Sequence, residues 1–194
     1  MATQLRGDKC VAEYGILPYN GYSTQGYTDI AGGGIIQVRR TLYTTPATFG
    51  HSTDQLVQLP GLSVSITPKS SSNRILIYIR FNGEIQNSHN ALFHVLRNGS
   101  TLTTPTVAPS NRNYGLIPPG ESYAANGGNF GTTPCTADYW WMDAPGTTSS
   151  VTYAAGCRFS YSQGTECINR TRDDVNGTAR ERMSSEIVVM EVTG

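Results

Sequence analysis

The chain has 194 residues, enough for one domain with a real core and no need of disulfide staples. Charged residues make up 14%, against about 25% in an average soluble domain, and acidic and basic residues balance at 14 each. That balance leaves no electrostatic footprint for nucleic acid or an anionic membrane surface, and no run approaches the roughly 18 apolar residues of a membrane helix.

Gly, Ser, Thr, Asn and Tyr stand where charge is missing, a palette that suits turns and strands and suits helices poorly. Residues 1–34 are set apart from the rest. Tyr14, Tyr19, Tyr22 and Tyr27 alternate loosely with glycines, and neither a period of 3.6 nor a period of 2 is sustained. Such a segment cannot form a core alone, yet tyrosine carries large contact area with a polar tip. It reads as an arm that lies along another surface. The opening residues, Met1 to Asp8, contain no apolar h-region, so the expected site of synthesis is a cytoplasm. There Cys10, Cys135, Cys157 and Cys167 are expected as reduced thiols. Cys157 and Cys167 flank an expected hairpin turn and are the one pair placed to face each other.

From residue 35 onward strands follow one another. The first is expected over 35–44 and a short one over 55–59. Leu62, Val64 and Ile66 then alternate with Ser63, Ser65 and Thr67, a half-buried strand. After a Pro-Lys-Ser-Ser-Ser-Asn break, residues 74–81 are apolar on both sides, as in a strand covered on both faces. A strand over 91–96 leads into Asn98-Gly99, a strong hairpin signal, with 100–104 as its partner. Residues 105–135, rich in Pro and Gly, form a long loop, and loops of that length are usually functional. Strands follow over 137–143, with Tyr139-Trp140-Trp141-Met142, and over 151–161, the longest alternation in the chain. A turn at Gln163-Gly164 leads to a strand over 165–170, and a buried strand over 184–192 closes the domain. About eight to ten strands with regular turn signals predict an all-β fold: an antiparallel β-sandwich, jelly-roll-like, over residues 35–194, with an extended N-terminal arm over 1–34.

Catalytic and metal-binding patterns do not assemble. His51, His89 and His94 lack a metal spacing and read as polar residues near strand ends. Asp138 and Asp143 flank the aromatic strand but make no evident carboxylate pair. Asp173-Asp174-Val175-Asn176-Gly177 lacks the later glutamate of a calcium loop and reads as a turn. The expectation is a protein that is not an enzyme and needs no metal or cofactor. Aromatics offer contact instead. Tyr114, Tyr123 and Phe130 in the long loop are candidates for surface or receptor contact, including stacking on sugars. Trp140 and Trp141 are candidates for core or subunit interface.

The order of the pieces carries a resemblance. Gly34-Ile35-Ile36-Gln37-Val38 is followed by Gly61-Leu62-Ser63-Val64-Ser65-Ile66-Thr67-Pro68, a serine run, and Arg74-Ile75-Leu76-Ile77. Downstream come Leu96-Arg97-Asn98-Gly99, Met142-Asp143-Ala144-Pro145, Val151-Thr152-Tyr153, Ile168-Asn169-Arg170 and the terminal stretch 185–192. Taken in this order over residues 34–194, they resemble a β-module of tailed-phage virion proteins, especially cyanophages and other marine phages, found in tail fibres and other virion appendages. The resemblance implies a homo-oligomer, commonly a trimer, on the virion surface, bound to other virion proteins. It implies synthesis in a host bacterial cytoplasm. The chain has no long shaft, which favours a compact component: a head decoration protein, a short fibre or knob, or a tail adaptor. The arm would be its anchor, and loop 105–135 would be free to touch a host glycan. A free carbohydrate-binding module or lectin is the alternative.

Overall fold

The computed structural model describes residues 34–86, 90–102, 113–120, 131–160, 163–178 and 180–193. These form ten strands: β1 (Ile35–Tyr43), β2 (Ala47–His51), β3 (Gln55–Ile66), β4 (Arg74–Glu84), β5 (Ala91–Arg97), β6 (Ser100–Thr101), β7 (Cys135–Asp143), β8 (Val151–Phe159), β9 (Gly164–Ile168) and β10 (Ser185–Val192). Among the described residues there is no α-helix. The tyrosines of the arm, together with Cys10, His89, Tyr123 and Phe130, lie outside the described residues.

All pairings are antiparallel and build two sheets. The first runs β1-β10-β4-β9-β2, with β7 along the other edge of β4, and the second runs β3-β8-β5-β6. Set aside β2 and β9, which extend the first sheet beyond the end of β4. The other strands, ranked in chain order, then read 1-8-3-6 in one sheet and 2-7-4-5 in the other. This is a jelly roll: one long hairpin of the pairs β1–β10, β3–β8, β4–β7 and β5–β6, rolled up on itself.

The alternation in the sequence explains which faces meet. Ile75, Ile77, Ile79 and Phe81 of β4 are wholly buried, as are Tyr153, Ala155, Cys157 and Phe159 of β8 from the opposite sheet. Phe93 of β5 bridges the layers, with its ring 5.1 Å from Phe81 and 5.7 Å from Tyr139. The Tyr139 hydroxyl donates to the His94 carbonyl at 3.2 Å, which satisfies a phenol in an apolar core. The Asn98-Gly99 turn has φ of 49° and 81°, the double left-handed geometry its sequence signals.

Four sequence expectations need correction. The segments 55–59 and 62–66 are one strand, β3, whose register slips between Gln58 and Ser63. Pro60 has no N–H for a ladder, and Gly61, at φ 68°, lies so close to the Tyr43 ring that a Cβ would fall 2.2 Å from it. Strand β2 has no counterpart in the sequence reading, because Phe49 is its single large apolar residue. Residues 163–164 do not close a hairpin: β8 pairs with β3 and β5, whereas β9 pairs with β2 and β4, so the chain crosses between sheets. Cys157 and Cys167 therefore sit in different sheets and are free thiols, like Cys135. Finally, β4 is covered on one face only, for Leu76 and Tyr78 are half-buried.

The short motifs of the chain turn out to be knots of buried polar groups. Asp143 takes both hydrogen bonds of the Arg97 guanidinium at 3.0 and 3.1 Å and one from the Tyr153 hydroxyl at 2.6 Å, tying the two sheets together. Burial and the bond to Asp143 push the Tyr153 hydroxyl far above its ordinary range. The loop after β3 closes on Glu191, which accepts from the Lys69 amide at 2.7 Å, from the Asn73 side chain at 2.6 Å and from Gln37. Burial raises the Glu191 carboxyl, but these donors outweigh it and hold the group below the usual carboxylate range. Asn169, at φ 61° and wholly buried, donates to the carbonyls of Tyr43 and Thr45 and accepts from the Ser185 hydroxyl. Its amide is thus consumed in the fold.

Candidate contact surface

Three places in the molecule gather side chains with chemical potential. The first is a shallow depression lined by Gly50, His51, Ser52, Gln55 and residues 163–165, at the outer end of the β2–β9 pair. Its one titratable lining group, His51, points inward. The imidazole stacks on Phe159 with centroids 3.9 Å apart, and Nε2 lies 3.2 Å from Glu166. Neither side chain has any solvent exposure, and Glu166 also accepts from the Gln86 amide at 2.8 Å. His51 stands at the end of β2, as a polar residue near a strand end, whereas His94 lies in the middle of β5, and both are interior groups. An acid–base pair sealed from solvent holds strands together and cannot meet a substrate.

The carboxylates singled out in the sequence are likewise engaged, Asp138 by Tyr78 and Arg80 and Asp143 by Arg97 and Tyr153. Asp138 and Asp143 are five residues apart on β7, an odd spacing that sends them to opposite faces. In the loop after β9, Asp173 pairs with Arg180, and Asp174 pairs with Arg182 and, at 3.0 Å, with Arg170. Arginines take the place a cation would have. Among the described residues, no group of three or more His, Cys, Asp or Glu is placed to hold a metal. Burial pushes the Cys135 thiol up to about 12 and raises those of Cys157 and Cys167, so these are poor nucleophiles.

The second place is the outer face of the β3-β8-β5-β6 sheet. Here Tyr114 is half-buried, 5.7 Å edge-on from His94, with the Arg158 guanidinium 5.2 Å over its ring. The segment holding it pairs with the β5 edge through Phe93 and Ile117. This loop aromatic packs on its own sheet.

The third place is the outer face of the other sheet. The registers align side chains of β1, β10, β4 and β7 in rows. Val38, Met190, Leu76 and Met142 form an apolar row. Beside it run Arg40, Val188, Tyr78 and Trp140, then Leu42, Glu186, Arg80 and Asp138. Val38 is 52% exposed, Leu42 48% and Trp140 53%. Trp140 rests against Tyr78 at 4.5 Å, whereas Trp141 points inward and packs on the core. The two tryptophans, alike in the sequence, are split by the pleat. Burial and a 2.6 Å bond to Asp138 push the Tyr78 hydroxyl up to about 12, so it stays a donor. No loop or strand among the described residues lies over this face. A contiguous apolar patch of this kind marks a contact site more often than bare surface. The sequence held its parts, but the assembly of the rows depends on pairings between strands far apart in the chain.

Comparison of the chain with protein-family models and with curated proteins returns no match.

Proposed function

We propose that this protein is a non-enzymatic structural component of a bacteriophage virion: a fibre or knob, a head decoration or a tail adaptor. It works by burying its exposed sheet face against other subunits. The observation that carries the reading is the row of Val38, Met190, Leu76 and Met142 with Trp140 beside it, left open on an otherwise well-packed jelly roll. The resemblance of the ordered motifs to phage virion modules adds to it, and so does the sealed state of the buried His51 and Glu166. In this reading residues 1–34 anchor the domain to the particle through Tyr14, Tyr19, Tyr22 and Tyr27. The chain assembles with copies of itself, a trimer by resemblance, and loop 105–135 faces the host. Immunogold labelling of purified virions of the encoding phage tests this. Label on head, tail or fibre is expected, and its absence from virions would overturn the reading.

A carbohydrate-binding module is the second reading, favoured by one feature: Trp140 with Tyr78 makes an exposed aromatic platform on which a sugar ring can stack. Glycan-array binding that is lost in Trp140→Ala, by a chain absent from virions, would select it.

A further inference from the structure

We propose that the outer face of the β1-β10-β4-β7 sheet binds the same face of a second copy of this chain, through a two-fold axis lying between the sheets and parallel to the strands. The proposal rests on the assembly reading above and adds the partner and its geometry.

Across the four strands the face carries Arg40 on β1, Glu186 on β10, Arg80 on β4 and Asp138 on β7. Glu186, Arg80 and Asp138 share one row with Leu42, and Arg40 lies in the next row, level with Trp140. A two-fold axis between β10 and β4 lays β1 of one copy over β7 of the other, and β10 over β4. Rotation about an axis parallel to the strands keeps each row at its own level, so Glu186 faces Arg80 twice across the axis, while Arg40 faces Trp140 and Asp138 faces Leu42. Within one chain the same four residues already pair side by side, Arg40 with Glu186 at 2.7 Å and Arg80 with Asp138 at 2.8 Å. They therefore enter the contact with aligned, partly neutralised charges rather than as free ions. The apolar row is equally self-compatible, with Val38 against Met142 and Met190 against Leu76. Tilted by about 30°, two such faces pack as the layers of a sandwich do. Isologous contacts require a surface complementary to itself, and this one is. The contact is compatible with a trimer, because two trimers joined through such faces form a six-chain particle.

Light scattering of the full chain over a range of concentrations, in wild type and two variants, tests the proposal. The wild type is expected at an even multiple of one chain's mass. Val38→Glu sets a charge against Met142 of the other copy and should weaken association at least tenfold. Val38→Glu with Met142→Arg sets opposite charges against each other between copies, at positions that lie on opposite edges of the face within each chain. Recovery of association in the double variant is thus specific to contact between copies. A monomer at all concentrations would overturn the proposal, whether the face is then covered by residues 1–33 or by another protein. A strict trimer indifferent to Val38→Glu, or a double variant that stays dissociated, would overturn it too. Virion labelling is independent of these outcomes, so either reading can fail without the other.

Discussion

The two outer faces of the sandwich differ in how their apolar side chains are covered. On the β3-β8-β5-β6 sheet the chain covers its own. Leu56 and Leu96 lean over Gly156, where an added Cβ would lie 3.2 Å from both, and Leu96 is 3% exposed. Tyr114 packs on His94, and Gly115 allows its segment to approach the Leu92 side chain. On the β1-β10-β4-β7 sheet, Val38, Leu42 and Trp140 stand about half exposed. An apolar residue on the first face contributes to folding. One on the second contributes less while it stands exposed.

Substitutions measure the asymmetry. An interior cross-link sets the scale: Asp143→Ala leaves the Tyr153 hydroxyl and Arg97 without their acceptor, and denaturant titration should show a loss of about 3 kcal/mol. Leu96→Ala, on the self-covered face, should cost about 2 kcal/mol. Trp140→Ala, on the open face, should cost the monomer about 1 kcal/mol or less, mostly the contact with Tyr78, although Trp is the larger side chain. A Trp140 variant that unfolds as readily as the Leu96 one would erase the contrast.

Acid sharpens the picture of the knots beneath the faces. The Glu191 carboxyl is held below its ordinary range in the folded chain. Its contribution is complete above the unfolded value of about 4.3 and is lost as pH falls through the lower folded value. The acid limb of stability should flatten in Glu191→Gln when followed by circular dichroism. The smallest expected effect is none: reductant should leave the melting temperature unchanged, since Cys135, Cys157 and Cys167 are unpaired.

Much of this fold was legible in the sequence because the core is written locally. The alternation of Val151, Tyr153, Ala155, Cys157 and Phe159 states which face of β8 is buried. Strand β2 escaped notice because Phe49 alone cannot make a pattern, and Pro60-Gly61 reads as a turn when it is a bulge within β3. Strand β1 was legible as a strand over 35–44, but the face it buries was not. Its inward residues are Gln37, Thr41 and Tyr43, while Val38 and Leu42 point out, and Gln37 belongs inside only because Glu191 is there to meet it. The open face was invisible for the same reason. Its rows join four segments spread from residue 38 to residue 190, and no local pattern reports that Val38 lies beside Met190. The resemblance motifs are a related case. Arg97, Asp143 and Tyr153 stand far apart in the chain and meet in one buried knot, so these motifs mark a fold more directly than an activity.

Radical footprinting with mass spectrometry, performed on the full chain at rising concentration, tests the central claim most directly. Met190, Met142 and Trp140 report on the open face, and Tyr114 reports on the self-covered one. The account predicts that modification of the first three slows as the concentration rises, while that of Tyr114 does not change. Equal rates for Met190, Met142 and Trp140 at every concentration would contradict it.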